Sequence, residues 1–519
     1  MFCKSSNTIS RFITFFAVSS ILFISQSVPA DVASLKGQFV NPPDSARPHT
    51  WWHWMNGNIT KEGITADLEA MAEVGVGGAQ IFNVGDKGSV NIPVGPIDYM
   101  SDEWLELVRH AVKEAKRLGL EICIHNCAGW SSSGGPWITP EYAMKKVTIS
   151  EASVSGSGKV DILLTKPATV RGYYQEIAVI AFPTPANSGY RLSRASTKAE
   201  FNSSYGIDLD QTAAPADAII PSDNVIDISE KMDANGQLKW DCPEGNWTVL
   251  RIGYTITGKD NHPAPDSGLG LECDKLSREA MDVHWQGGIE PILKKLGNLA
   301  GPVMNNLLID SYEVGINNWT KGFEKEFEMR RGYAMSRYLP TLAGRVVDST
   351  DVSERFLWDY RRTISDLFTA NYYGYFADKC HAAGLLCSTE PYDGPFECLS
   401  IASNADILMG EFWVGGGVNP SVRIASSVAH IYGRKIIGAE SFTSSPDQGR
   451  WQNHPRSMKA LGDEIWCNGI NRYIFHRYAH QPWLDKWPGM TMGQWGTHFE
   501  RTNTWWKDGQ AWMKYIARS

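Results

Sequence analysis

SDEWLELVRHAVKEAKRLGLEICIHN, running from Ser101 to Asn126, sets the reading of the whole chain. Ser101 is a helix-capping residue type, and Trp104, Val108, Ala111, Ala115 and Leu118 recur at the spacing that gathers side chains on one helical face. Gly119 takes the left-handed backbone of a helix stop without a Cβ clash, so the chain leaves the helix there. LEICIHN, from Leu120, is then a short apolar run that breaks into polar residues at His125 and Asn126. Helix stop, buried strand and polar strand end together form the repeating unit of a parallel sheet covered by helices.

The unit recurs in both directions. Upstream, TWWHW (Thr50 to Trp54) reads as strand one and GAQIF (Gly78 to Phe82) as strand two, joined by a helix that Thr60 caps and that carries Ile64, Leu68 and Met71 on one face. Downstream, NNLLIDSYE ends at Glu313, LLCSTEP carries Glu390, ADILMGEFW carries Glu411, KIIGAES carries Glu440, and RYIFH ends at His476. Eight strands separated mostly by helical stretches predict an α/β fold, a (β/α)8 TIM-like barrel. The rhythm breaks between Tyr142 and Thr257, where VTISEASV, DILLT, YYQEIAVIAF and WTVLRIGY alternate between Gly, Pro, Asn and Asp clusters. That predicts an inserted all-β module after strand three. The expected organisation is therefore strands one to three over 31–141, the module over 142–257 and the remaining barrel over 258–519. Gly258 to Gly270 reads as a lid or rim loop, and Ser277 to Leu296 as the helix before strand four.

At the N-terminus, Lys4 and Arg11 flank the start of an apolar run from Phe12 to Ile24, followed by the small-residue stretch Val28-Pro29-Ala30. This reads as a cleavable signal peptide over 1–30, with the mature chain starting at Asp31 in the periplasm or outside the cell. The run is shorter than the roughly 20 apolar residues of a spanning helix, and no later segment is long and apolar enough to span. A net charge of -8 and a pI near 5.9 argue against a nucleic-acid partner, which needs clustered Lys and Arg. The cysteines after the signal show neither zinc-site spacing nor a compact disulfide framework and read as mostly buried thiols, with at most one bridge expected. Twenty Trp residues are enough to serve both a core and a sugar-stacking surface.

Barrel enzymes carry reactive groups where the strands end. Glu313, Glu390, Glu411 and Glu440 all fall at such ends, and Glu313 on strand four and Glu440 on strand seven lie across the ring from one another. Glycosidic hydrolysis needs one carboxylic acid for the leaving oxygen and one carboxylate for water or for the anomeric carbon, so this pair is the expected catalytic one. Expected substrate-binding groups are His53, Trp54 and Asn56 after strand one, Asn83 after strand two, and His125, Asn126 and Trp130 in HNCAGWSSSGGPW after strand three. Glu390, Trp413, His476 and His480 complete that set. Asp310, Asp393 and Glu411, with Glu390 near them, are hard oxygen donors of the type Ca²⁺ takes, and are equally suited to hydrogen-bonding a substrate or a neighbouring Arg.

RPHTWWHWMNGNITKEGITADLEAM, HNCAGWSSSGGPWI, DSYEVGINNWTKGFEKEFEMRRGY, STEPYDGPF and GAESFTS, in this order, resemble glycoside hydrolase family 106, the α-L-rhamnosidases. The resemblance covers nearly all of the chain after the signal. It implies release of terminal α-L-rhamnose from plant polysaccharides or rhamnosides with inversion and with help from calcium, Glu313 acting as general acid and Glu440 as general base. Family members usually continue into β-sandwich domains, whereas this sequence ends at WMKYIARS. The last barrel helix is accordingly expected to be short, leaving apolar surface of strands one and eight uncovered. Two other readings stand beside this one: a rhamnose-binding remnant without turnover, and a retaining glycosidase for another sugar.

Overall fold

The computed structural model describes residues 32–85, 90–203, 207–210 and 212–519, so the expected signal peptide lies outside the described residues. Two compact units are distinguished. The first, up to Pro42, contains the helix Val32–Val40; the second, Pro43–Ser519, holds every other element.

Eight strands of the second unit close into a parallel barrel: β1 (His49–Met55), β2 (Gly78–Val84), β3 (Glu121–Ala128), β4 (Met304–Ile309), β5 (Leu386–Thr389), β6 (Ile407–Trp413), β7 (Ile437–Thr443) and β8 (Arg472–Ala479). Each pairs with its sequence neighbour, and β8 pairs with β1. Both helix caps and the Gly119 stop expected from the sequence are formed. Ser101 accepts a hydrogen bond from Trp104 N–H and Gly119 closes that helix at φ 71°, while Thr60 caps Lys61–Val74, which Gly75 closes at φ 99°.

Between β3 and β4 the chain builds a separate antiparallel sheet in the order Lys145–Leu163, Gln237–Ile256, Gln175–Pro183, Ile226–Asp227. Val154, Val179, Leu238, Trp240, Trp247 and Val249 pack on one face, while Ile180, Leu250 and Ile252 join the main core. The module also contains a short helix, Ala195–Glu200, whose Lys198 forms a buried ion pair with Glu354 at 2.5 Å. Six residues make less than two turns, too few for a helical period to stand out in the sequence. Among the described residues Cys123, Cys127, Cys242, Cys273, Cys380 and Cys387 are buried thiols outside any disulfide.

The expected gap over strands one and eight is not found. Every residue of β1 and β8 is buried. The closing helix Gln510–Arg518 buries Trp512, Met513 and Ile516, and Trp512 stacks on Phe475 and Phe499 at centroid distances of 5.4 and 6.0 Å. Large aromatics fill that space with few residues, which length alone did not reveal.

One buried carboxylate ties the outer layer to β8 and the loop after it. Asp67 accepts hydrogen bonds from Trp52 Nε1 (3.2 Å), Tyr478 Oη (3.0 Å), the Gln481 N–H (2.9 Å) and Arg501 Nε (2.9 Å), with His480 Nδ1 at 2.8 Å. Removing one partner of such a buried pair leaves Arg501 uncompensated, so Asp67→Ala is expected to cost about 3 kcal/mol or more in urea unfolding. Arg355→Ala, which breaks the exposed Arg355–Asp351 pair, leaves the midpoint where it is. Equal midpoints for the two variants would refute the assignment of Asp67 as the anchor.

Candidate active site

The strand ends of the barrel surround a cavity of about 400 Å³. Four carboxylates line it (Asp310, Glu313, Glu411, Glu440), with Trp51, Trp130, Trp413, Trp495 and His476, the hydroxyls of Ser311 and Thr443, and apolar Val84, Pro263 and Met492. No Lys or Arg belongs to that described lining.

Strand register sets this arrangement. Ile309 on β4 pairs with Thr389 on β5, so the next residues, Asp310 and Glu390, leave the barrel side by side; Glu411 on β6 pairs directly with Glu440 on β7. Oxygens of Asp310, Glu390 and Glu440 lie within 4.8 Å of one another, and all three residues are buried. Their carboxyls are held well above the usual range, first by burial and then by mutual repulsion: Glu440 and Glu313 act on Asp310, Asp310 on Glu390, and Glu390 and Glu411 on Glu440. Glu411, less deeply set, is raised to about 6, again chiefly by burial. Hydrogen bonds from Tyr392 to Glu390 (2.5 Å), Thr443 to Glu440, Asn419 to Glu411 (3.0 Å) and the Ser311 N–H to Asp310 (2.9 Å) offset part of this cost. Glu390 Oε1 has no hydrogen-bond partner. His476 Nδ1 lies 3.6 Å from Glu440 Oε1, but burial and Arg477 push the imidazole down to about 3, so it stands there uncharged.

Glu313 lies beyond the end of β4 and is solvent-exposed. Trp130 Nε1 donates to its Oε2 at 3.2 Å, Ser311 Oγ donates to Oε1 at 3.0 Å, and its own N–H donates to the Ser131 carbonyl at 3.3 Å. The loop that carries Trp130 and Ser131 is fixed from beneath by Glu272. That carboxylate accepts from Ser131 Oγ (2.6 Å) and the Ser133 N–H (3.0 Å) and pairs with fully buried Lys275. Burial alone would raise Glu272, but Lys275 and these donors hold it below the usual range. Gly287 and Gly288 belong to the same framework: a Cβ on Gly287 would stand 2.2 Å from the Trp137 ring. The stretch read as a lid or rim loop is a wall, with Pro263 lining the cavity and the His262 carbonyl accepting from the N–H groups of Trp130 and Ser131.

Of the expected binding residues, Trp130, Trp413 and His476 line the cavity. Glu390 lies behind it, against Asp310. His53 and His125 belong to the barrel interior beneath: His53 is 5.6 Å from the His476 ring and His125 stacks on Phe82 at 4.8 Å. Trp54 is misassigned. Side chains alternate along a strand, and Trp54 faces the helices, edge-on to Trp52 and Trp104, whereas Trp51 lines the cavity. Asn83 likewise faces outward and accepts from Trp104 Nε1 at 3.0 Å. Asn56 turns away to donate to the Ile92 carbonyl, and Asn126 is consumed by Ser132, Ser133, His284 and the Leu308 carbonyl. His480 is held by Asp67; the β1–β8 register shifts between Trp52 and Thr50, which are opposite Tyr478 and Phe475, and this reverses the facing beyond His476. Of the three expected cation ligands, Asp310 alone belongs to the close carboxylate group found among the described residues. Asp393 is exposed at φ 65° and Glu411 is outside the close group, which is Asp310 with Glu390 and Glu440. Strand parity would have found Trp51; Met492 and Trp495 come from the long loop after β8, where no periodicity marks them.

Comparison with known proteins follows this geometry. The glycoside hydrolase family 106 α-L-rhamnosidase model matches residues 40–187 and 183–519. A Formosa agariphila protein named "Putative beta-glucuronidase" is 49% identical over 506 residues, 96% of this chain and 42% of that protein. The structure of a rhamnosidase from Novosphingobium sp. PP1Y matches with a TM-score of 0.84 at 30% identity, over 93% of this chain and 60% of that one. This chain thus spans less than two thirds of the length of either relative.

The opposite facing of Trp51 and Trp54 yields a test. Trp54→Ala is expected to cost about 3 kcal/mol of stability as a core truncation while KM for a cleaved chromogenic glycoside stays within about twofold. Trp51→Ala is expected to lower kcat/KM about tenfold or more through lost ring contact. The reverse pattern would refute the assignment of the two faces.

Proposed function

The chain belongs to glycoside hydrolase family 106, the α-L-rhamnosidases, and from that premise we propose that it releases terminal α-L-rhamnose outside the cytoplasm with inversion, Glu313 acting as general acid and Glu440 as general base. The observation that carries the role order is depth. Both residues line one cavity, yet Glu440 is 7% exposed while Glu313 is open to solvent. A terminal sugar entering such a blind pocket has its leaving oxygen toward the mouth, beside Glu313, and its far face toward Glu440.

The chemistry balances within that pair. Once ionised, which requires relief of the burial and repulsion that raise its carboxyl, Glu440 accepts a proton from a water whose oxygen forms the new bond to the anomeric carbon. The glycosidic C–O bond breaks, and Glu313 gives its proton to the departing oxygen. Trp130 and Ser311 orient the Glu313 carboxyl, and Thr443 orients that of Glu440. The lining supports a neutral deoxy sugar over a uronic acid: a substrate carboxylate would face four carboxylates and no described Lys or Arg. This separates the rhamnoside reading from the glucuronide in the name of the Formosa relative.

Asp310, Glu390 and Glu440 fit a calcium ion by chemistry: three hard oxygen donors brought close, one of them, Glu390 Oε1, without a hydrogen-bond partner. When bound, the ion would offset the clustered charge and chelate neighbouring hydroxyls of a sugar that has no charged handle. Export rests on the basic, apolar and small-residue pattern of residues 1–30. An exported product beginning at Asp31 by mass spectrometry checks it; an uncleaved one refutes it.

Aryl α-L-rhamnoside is expected to be hydrolysed and aryl β-D-glucuronide left intact. Glu313→Gln and Glu440→Gln should each lower kcat by about 10³-fold, within the range for loss of a general acid or base. NMR should show β-L-rhamnose as the first product; α-L-rhamnose would mean retention. Chelation is expected to reduce turnover and Ca²⁺ to restore it. Rhamnose binding without any turnover would favour the remnant reading, and glucuronide cleavage would overturn the substrate assignment.

A further inference from the structure

The cavity's tryptophans are graded by depth. Trp51, 3% exposed, lies at the floor; Trp130 and Trp413 are half-buried; Trp495, 39% exposed, stands at the mouth. Trp451 and Trp487 are still more exposed, at 44% and 67%, but neither lines the cavity. Exposure and cavity contact therefore coincide at Trp495. Its ring meets that of Trp413 edge to face, with centroids 6.4 Å apart, so the two form one aromatic corner.

The corner is also held in advance. The Trp495 carbonyl accepts from Arg477 Nη2 at 3.3 Å, and the N–H of Gly496 donates to the Ser444 carbonyl at 2.8 Å. Thr497 is stitched to β8 in both directions, its N–H to the His476 carbonyl and its own carbonyl to the Arg477 N–H. Arg477 itself is fully buried. An apolar ring fixed at a pocket mouth by backbone bonds loses little freedom when a ligand stacks on it.

Resting on the rhamnosidase reading, we propose that Trp495, with Trp413 beside it, forms the subsite for the leaving group, and that the group it takes presents a flat apolar face. With the rhamnosyl ring between Glu313 and the floor, the departing oxygen and whatever it carries emerge at the mouth, where Trp495 is the exposed surface. A planar phenol and the apolar face of a second pyranose both offer this chemistry.

Three substrates test it in the wild-type chain and in Trp495→Ala and Trp495→Phe: α-L-rhamnosyl fluoride, whose leaving group has no face to stack, an aryl α-L-rhamnoside, and a rhamnosyl-glucose disaccharide. Trp495→Ala is expected to lower kcat/KM on the two glycosides about tenfold more than on the fluoride, with Trp495→Phe recovering most of the difference. A greater loss on the aryl substrate identifies a planar phenol as the occupant, and a greater loss on the disaccharide identifies a sugar. Equal losses on all three, or none on the glycosides, would overturn the subsite. If the wild-type chain fails to hydrolyse the fluoride, it is the rhamnosidase reading that falls, and this subsite with it.

Discussion

Closure of eight parallel strands makes every strand two-sided, and the rest of the molecule depends on that constraint. Successive residues of β1 illustrate it: Trp51 and Met55 join an inner cluster with Phe82, Cys123, Leu308, Met409 and Ile474, while Trp52 and Trp54 pack among the helices. The inner cluster is apolar and closes the barrel below the cavity. Below the cavity a few uncharged polar groups, His53 and His125 among them, share the interior, and the clustered carboxylates come only where the strands run out. The adjacent strands β4 to β7 all end on carboxylates, so the mouth has an acidic side, with β1, β3, β8 and their loops supplying most of the aromatics.

How the protein treats buried carboxylates elsewhere shows that the acidic side is no accident of packing. Glu272 is paired with Lys275, Asp274 with Lys145, Glu354 with Lys198, Glu500 with Arg477 and Asp67 with Arg501. Each is a framework site where a cation satisfies the charge that burial penalises. Among the described residues, Asp310, Glu390, Glu411 and Glu440 have no Lys or Arg ion-pair partner, and the imidazole nearest Glu440 is uncharged. A fold that supplies cations to five buried acids and withholds them from three, Asp310, Glu390 and Glu440, beside one cavity carries an unfavourable charge cluster there. Such strain is tolerated where a ligand or a proton in transit relieves it.

The barrel was legible because its signals are local and repeated: Ser101 and Thr60 at helix starts, Gly119 at a stop, and apolar runs breaking into acids. Glu313, Glu440, Trp130, Trp413 and His476 followed from strand-end position alone, and the structure brings all five to one cavity. What escaped needed information that short windows lack. Trp54 and Asn83 were adjacent to the right positions but on the wrong face. His480 lies beyond a register shift that no residue type announces. Asp393 looked like a strand-end acid, yet β5 stops at Thr389 and the chain has already turned outward. Trp495 and Met492 belong to a loop whose path is fixed by buried Arg477 rather than by any pattern of its own.

The two ends of the insertion, where it leaves and rejoins the barrel, are part of the site. The chain leaves the barrel after β3, builds the antiparallel module, and on its return runs back against the loop from which it departed. Leu271 and Glu272 pair with Gly135 and Gly134, and the His262 carbonyl receives the N–H groups of Trp130 and Ser131. Ser131 in turn receives the N–H of Glu313. The outgoing and returning ends of the insertion therefore form the wall that holds the candidate acid, with Lys275 and Glu272 buried between them as its clasp. Because Glu313 is exposed and lies past its own strand, β4 alone does not fix its carboxyl. Trp130 and Ser311 hold the carboxyl and Ser131 holds the N–H, so the junction between barrel and insertion positions this residue together with β4.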